Sequence, residues 1–217
     1  MRAITRDFLT ERLELADQLR DGMGTMLEPQ DLPGRYGWVI KALDRLLQLA
    51  QSEAVLGGGW AVWRHGYVGR VTQDVDVVLP ADRMSEFLRV AAASGFDVLP
   101  RPQGRWPKLL HKETGIQVDI RPEGERRRTP SRAAPTTLPH PSTLGAAGHR
   151  LRYITLPALI QLKLAAGWAR DKADVVELLR ANPDQIAAIR HHLSGIHADY
   201  VSALDRLVER AQEQRDE

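Results

Sequence analysis

The chain has no cysteine, which excludes disulfides, thiolate zinc sites and cysteine nucleophiles together. No apolar run approaches the ~18 residues that cross a bilayer. The opening Met1-Arg2-Ala3-Ile4-Thr5-Arg6-Asp7 lacks the apolar core of a signal peptide, so a cytoplasmic protein with no membrane partner is expected. Neither charge is in large excess: 30 Lys and Arg stand against 28 Asp and Glu, a formal net charge of +2, and composition alone does not mark a nucleic-acid binder. There is no internal repeat. Also missing are a Gly-x-x-x-x-Gly-Lys-Ser/Thr phosphate loop, a Gly-x-Gly-x-x-Gly opening a helix, a His-Glu-x-x-His pair and a Gly-x-Ser-x-Gly elbow. Their absence disfavours the commonest kinase, dehydrogenase, metalloprotease and hydrolase designs. At 217 residues and 43% hydrophobic, the chain can bury a sizeable core, as one domain with a helical extension or as two small domains.

What is present is a pair of carboxylates, Asp74 and Asp76, in the run Gln73-Asp74-Val75-Asp76-Val77-Val78-Leu79. Read as a strand, this run puts both on one face, two residues' rise apart. Two carboxylates so placed repel unless a cation sits between them, and Mg²⁺ or Mn²⁺ takes oxygen ligands of this kind. Upstream, Gly57-Gly58-Gly59 offers backbone N–H groups that phosphate oxygens can approach with no Cβ in the way. A further strand, Gly115 to Arg121, alternates Ile116, Val118 and Ile120 with Gln117, Asp119 and Arg121, and supplies a third carboxylate in Asp119. The combination describes a site for a metal-bound nucleoside triphosphate.

The remaining periodicities give an α/β chain with a mixed β-sheet flanked by helices, preceded by an N-terminal helical segment and followed by a C-terminal helical region. Helices are expected over Phe8–Arg20 and Tyr36–Ala50, with a Gly/Pro linker between them. Strands are expected at Ala54–Leu56, Val75–Leu79, Phe96–Leu99, Pro107–His111 and Gln117–Arg121. A helical turn is expected over Trp60–His65, and a helix over Ala81–Ser94 stopped by Gly95. Residues 122–150 carry five prolines and the basic residues Arg126, Arg127, Arg128 and Arg132, and read as a long loop. Helices follow at 157–169, 171–181, 183–193 and 196–213. The expected division is 1–35, 36–155 and 156–217.

A Gly-Gly turn followed by an Asp-hydrophobic-Asp strand resembles the signature of the DNA polymerase β-type nucleotidyltransferase superfamily, here with fourteen residues between Gly59 and Asp74. The stretch Tyr153–Gly167 with Arg170–Leu179 is similar to small bacterial nucleotidyltransferases, including AbiEii-like toxins. Gly57-Gly58-Gly59-Trp60-Ala61 with Gly69-Arg70-Val71-Thr72 looks like the matching stretch of aminoglycoside and lincosamide nucleotidyltransferases. These likenesses imply metal ligation and catalysis by Asp74, Asp76 and Asp119. They imply nucleotide contact by Gly58, Gly59, Arg70, Thr72, Lys163 and Asp171, with Asp174 as alternative to Asp171. The implied acceptor is RNA, especially a tRNA end, or a protein hydroxyl, with a cognate antitoxin as partner. A small antibiotic acceptor and a non-catalytic nucleotide-binding or antitoxin-like module are the competing readings.

Each feature also has a plain structural explanation. An Asp-x-Asp is common at solvated strand ends, and Lys163 can cover apolar core with its stem. Asp171 and Asp174 can be first-turn charges, and the Arg cluster can be a solvated loop. His65 and His111 are weaker candidates for substrate contact, and His191, His192 and His197 read as a helix face.

Overall fold

The computed structural model describes residues 27–100, 102, 106–127, 133–146 and 148–213, together with helical, exposed positions at 6, 9, 10, 13, 14 and 17. The rest of the expected Phe8–Arg20 helix, Arg128 and Arg132 lie outside the described residues. The strands are β1 (Ala54–Leu56), β2 (Asp74–Leu79), β3 (Phe96–Leu99), β4 (Lys108–His111), β5 (Gln117–Pro122) and β6 (Leu151–Tyr153). They form one mixed sheet in the order β3-β4-β5-β2-β1-β6. The β2–β5 and β1–β6 pairs are parallel, and the others antiparallel. Strand β6 lies just after the stretch expected as loop and before the first C-terminal helix, where no strand is expected from the sequence. Three residues are too few for a period-2 pattern, and β6 exists because Leu151, Arg152 and Tyr153 pair with β1.

Helix α1 (Gly34–Leu49) buries Tyr36, Val39, Ile40, Leu43, Leu46 and Leu47 along one stripe, and packs on β6 and on α3 (Met84–Ala93). It ends without a glycine: Gln51 takes φ 48, while Ser52 N–H donates to Leu47 O and Gln51 N–H to Gln48 O. That is the two-bond left-handed stop usually given to Gly. Helix α3 ends conventionally, with Gly95 at φ +83.

Helix α2 (Gly58–Arg64) takes in Gly58 and Gly59, which the sequence places in a turn. Its Trp60 is fully buried, with ring centroids 4.5 Å from Tyr36 and 5.5 Å from Trp63. This anchors the glycines that precede it.

The described residues of the stretch 122–150 are more ordered than its prolines suggest. Leu138 N–H donates to Glu125 O and Gly124 N–H to Leu138 O; Pro141–Leu144 form a short helix, α4; and Thr136 Oγ1 lies 2.8 Å from Tyr200 Oη. The Arg126 guanidinium donates to the Ala134 and Pro135 carbonyls at 2.8 and 3.0 Å, so it braces the loop.

Beyond β6 come α5 (Leu156–Ala166), α6 (Ala169–Ala181), α7 (Ile186–Ser194) and α8 (Ala198–Glu213). A 3₁₀ turn, Pro183–Gln185, occupies the start of the third expected helix. Helix α5 is apolar almost all round because it is surrounded: it touches α2, α6, α7 and α8. One hydrophobic cluster runs from Leu32 to Ala211.

Candidate active site

The parallel register of β2 and β5 sets Asp74 opposite Gln117, Asp76 opposite Asp119 and Val78 opposite Arg121. With side chains alternating across the sheet, Val75, Leu79, Val118 and Ile120 go into the core. Asp74, Asp76, Asp119 and Arg121 face a cleft of about 430 Å³. Opposite the sheet, α5 presents Leu159, Leu162 and Lys163, and α6 begins with Arg170 and Asp171. The loop before β2 closes one side with Arg70, Val71, Thr72 and Gln73; the loop after β5 closes another with Arg127 and Leu138.

At the mouth of α2, Gly57 and Gly58 form the wall, and Gly57 N–H donates to Asp76 O at 2.9 Å. Gly58 has φ +59, and a Cβ there would drive into the Asp76 carboxylate. Backbone and metal-ligand candidate are thus in direct contact, which only glycine permits. Gly59 is not part of the cleft wall; its α-carbon faces Thr72 and Arg70, and a Cβ would meet Thr72 Oγ1 at 2.5 Å. Thr72 is 4% exposed, and its hydroxyl reaches the Asp74 carbonyl at 3.4 Å. Of the residues expected from sequence, Gly58, Arg70, Thr72, Asp74, Asp76, Asp119, Lys163 and Asp171 share this one cleft.

The charges divide into satisfied and unsatisfied groups. Lys163 Nζ contacts Asp174 Oδ2 at 2.5 Å and Asp171 Oδ1 at 3.3 Å. Arg70 Nε lies 3.3 Å from the same Asp174 oxygen. Lys163 and Asp174 are 5% and 3% exposed, so this is a buried ionic knot tying α5, α6 and the loop before β2. Asp171 and Asp174 both belong to it, and the lysine's stem is not simply covering core. Asp119 is held by Lys108 and Arg121. By contrast, Asp74 and Asp76 have no ion-pair partner among the described residues. The Asp76 carboxyl is pushed up to about 6 by burial, and then by the charges of Asp74 and Asp119; Arg121 and Arg127 pull the other way. A divalent cation would relieve this pair. Among the described residues no group of three or more His, Cys, Asp or Glu side chains is arranged to hold a metal ion. The fit is therefore to a hard cation taking two carboxylates and completing its shell with phosphate oxygens and water, as Mg²⁺ does.

The histidines lie elsewhere. His65 Nε2 meets Ile154 O at 2.8 Å, and burial lowers its pKa. His111 Nδ1 meets Thr114 Oγ1 at 2.9 Å; His192 meets Gln161 Oε1 at 2.9 Å. Each bond is structural. The sequence patterns do not mark Arg121, Arg170 or Lys108 as site residues. Arg121 was nonetheless legible, since it follows Asp119 by two on the same strand face. Lys108 was not, because only the β4–β5 register sets it opposite Asp119.

No family model matches the chain, and no curated protein matches it by sequence. Solved structures do resemble it. The crystal structure of ANT(2″)-Ia in complex with adenylyl-2″-tobramycin aligns over 82% of this chain and 97% of that chain, at 16% identity and a TM-score of 0.42. A solution structure of the same antibiotic-resistance factor aligns over 82% and 92%, at 16% identity and a TM-score of 0.40. A nucleotidyltransferase candidate from Thermotoga maritima aligns over 65% and 90%, at 17% identity and a TM-score of 0.45.

Proposed function

We propose that the protein is a metal-dependent nucleotidyltransferase that moves a nucleoside monophosphate from a nucleoside triphosphate to an acceptor hydroxyl. The observation that carries the reading is the contact between Gly58 and the Asp76 carboxylate, which sets a side-chain-free helix start against two neighbouring carboxylates that have no ion-pair partner among the described residues. Asp74 and Asp76 would hold Mg²⁺ or Mn²⁺, whose charge, when bound, stabilises the triphosphate oxygens during displacement. The backbone of Gly57 and Gly58 leaves room for phosphate, and Arg121, Arg127 and Arg170 supply cations around it. Asp119, beside Asp76, is placed to take the acceptor's proton. The acceptor oxygen bonds to the α-phosphorus, the bond from that phosphorus to the bridging oxygen breaks, pyrophosphate leaves, and the hydroxyl proton passes to Asp119. The division into a catalytic core over 36–155 and a helical region over 156–217 belongs to the same reading.

RNA is the acceptor favoured by the charges. Asp119, Asp171 and Asp174 already have cation partners, which leaves little acid to receive a polycationic antibiotic, while Arg127 has no ion-pair partner among the described residues. The toxin role and a cognate antitoxin rest on the likeness in residues 153–179.

Incubation with each labelled nucleoside triphosphate, Mn²⁺ or Mg²⁺, and RNA, lysate protein or aminoglycosides tests the reading. Label on RNA, lost with Asp76→Asn, is the expected result. Label confined to protein or to aminoglycosides replaces the acceptor, and no transfer to any of them refutes the activity.

A further inference from the structure

We propose that Lys108 supplies, with its own ammonium, the positive charge beside Asp119 that a second divalent ion would otherwise bring, so that each chain binds one ion. The inference rests on the transfer reading above and specifies its cation count.

Asp119 is the carboxylate that should share a second ion, since it stands next to Asp76 in the β2–β5 register and is 7% exposed. Its other neighbour, however, is β4, which places Lys108 directly opposite. Lys108 Nζ lies 2.5 Å from Asp119 Oδ1, and an Arg121 nitrogen lies 3.8 Å from Oδ2. Oδ1 accepts no aligned hydrogen bond, so the Lys108 contact is a meeting of charges and not an orienting bond of fixed angle. Both oxygens of Asp119 are therefore faced by cations of the chain itself, whereas neither Asp74 nor Asp76 has an ion-pair partner among the described residues. The contrast divides three carboxylates that sequence spacing alone treats as equivalent.

A divalent ion bridging Asp76 and Asp119 would have to bind a carboxylate that already faces the Lys108 ammonium and the Arg121 guanidinium, against charge repulsion at close range. A lysine in this position has a further property. It is a compact cation on a stem rooted in a paired strand, so it stays when nucleotide and product leave. Lys108 thus keeps a positive charge against Asp119 in the absence of substrate. Lys108 acts here as a positioning residue, and Asp119 as a base instead of a metal ligand.

The test counts Mn²⁺ on the purified full chain by electron paramagnetic resonance of the free ion, with folding of each variant checked by thermal melting. The wild type should bind one Mn²⁺. Asp76→Asn should lose it, and Asp119→Asn should keep it. Lys108→Met should bind a second ion that disappears again in Lys108→Met/Asp119→Asn, while Lys108→Arg should stay at one. Two ions on the wild type, loss of affinity in Asp119→Asn, or a single ion on folded Lys108→Met would overturn the assignment of Lys108 and leave the transfer reading standing. A wild type that binds no Mn²⁺ would overturn both.

Discussion

Asp76 is the residue on which fold and chemistry most directly oppose each other. Its pKa of about 6 lies above the ordinary 3.8, so the folded chain holds this proton more tightly than the unfolded chain does. The corresponding stability is present below about pH 4 and is lost as the pH rises through about 6. The melting temperature of metal-free wild type should therefore fall over that range relative to Asp76→Asn, which cannot ionise. Mn²⁺ should raise the wild-type melting temperature at pH 7.5, do little at pH 5 where the proton competes, and leave Asp76→Asn unmoved at both. In transfer assays the same variant should lose roughly a thousandfold in rate, the scale of losing several kcal/mol of charge stabilisation. Gly58→Ala tests the contact from the other side. Its left-handed φ alone costs about 1–2 kcal/mol with a side chain, and the new methyl displaces the Asp76 carboxylate. Both denaturant stability and Mn²⁺ affinity should drop; an unchanged affinity would show that the glycine is there for the turn alone.

Among the elements, α5 and α6 depend most on a single ionic knot. Removing one partner from a buried pair strands the other, at a cost of about 3–5 kcal/mol. Lys163→Met should therefore destabilise strongly in urea, because Asp174 keeps only Arg70. Lys163→Met/Asp174→Asn should recover part of the loss, since the buried carboxylate is gone while Arg70 gives up its partner. The end of α1 offers the opposite case: Gln51→Gly should stabilise by about 0.5–1 kcal/mol, the left-handed penalty less the entropy a glycine costs, and raise the melting temperature by roughly 2 °C. Elements with a clear period were visible in the sequence, as in α1 with its buried stripe or β2 and β5 with their alternation. The stop at Gln51 was not, because glutamine has no preference for that backbone and is held there by two hydrogen bonds. β6 was hidden for a related reason: its three residues become a strand only when β1 offers an edge.

At the scale of the whole molecule, the cleft gathers side chains from both halves of the sequence, and what could be read in advance depended on how each reached it. Asp74, Asp76 and Asp119 were legible because local alternation puts them on a face. Lys108 depended on strand register. The route of Arg127 depended on a loop whose prolines conceal its pairing with Leu138 and Ala134. If RNA runs along this side, Arg127→Ser should weaken its binding and reduce the slope of log affinity against log salt by about 1, measured by filter binding; an unaltered slope would place the RNA elsewhere. The sheet order has a consequence of another kind. β2 and β5 are its middle strands, shielded by β4 and β3 on one side and by β1 and β6 on the other, so their amides can meet deuterium only after the outer ladders have opened. The slowest-exchanging amides should belong to the very strands that carry the three carboxylates. As denaturant rises, the sheet should open from β3 and β6 inward, and a partly opened molecule would still keep its catalytic face assembled.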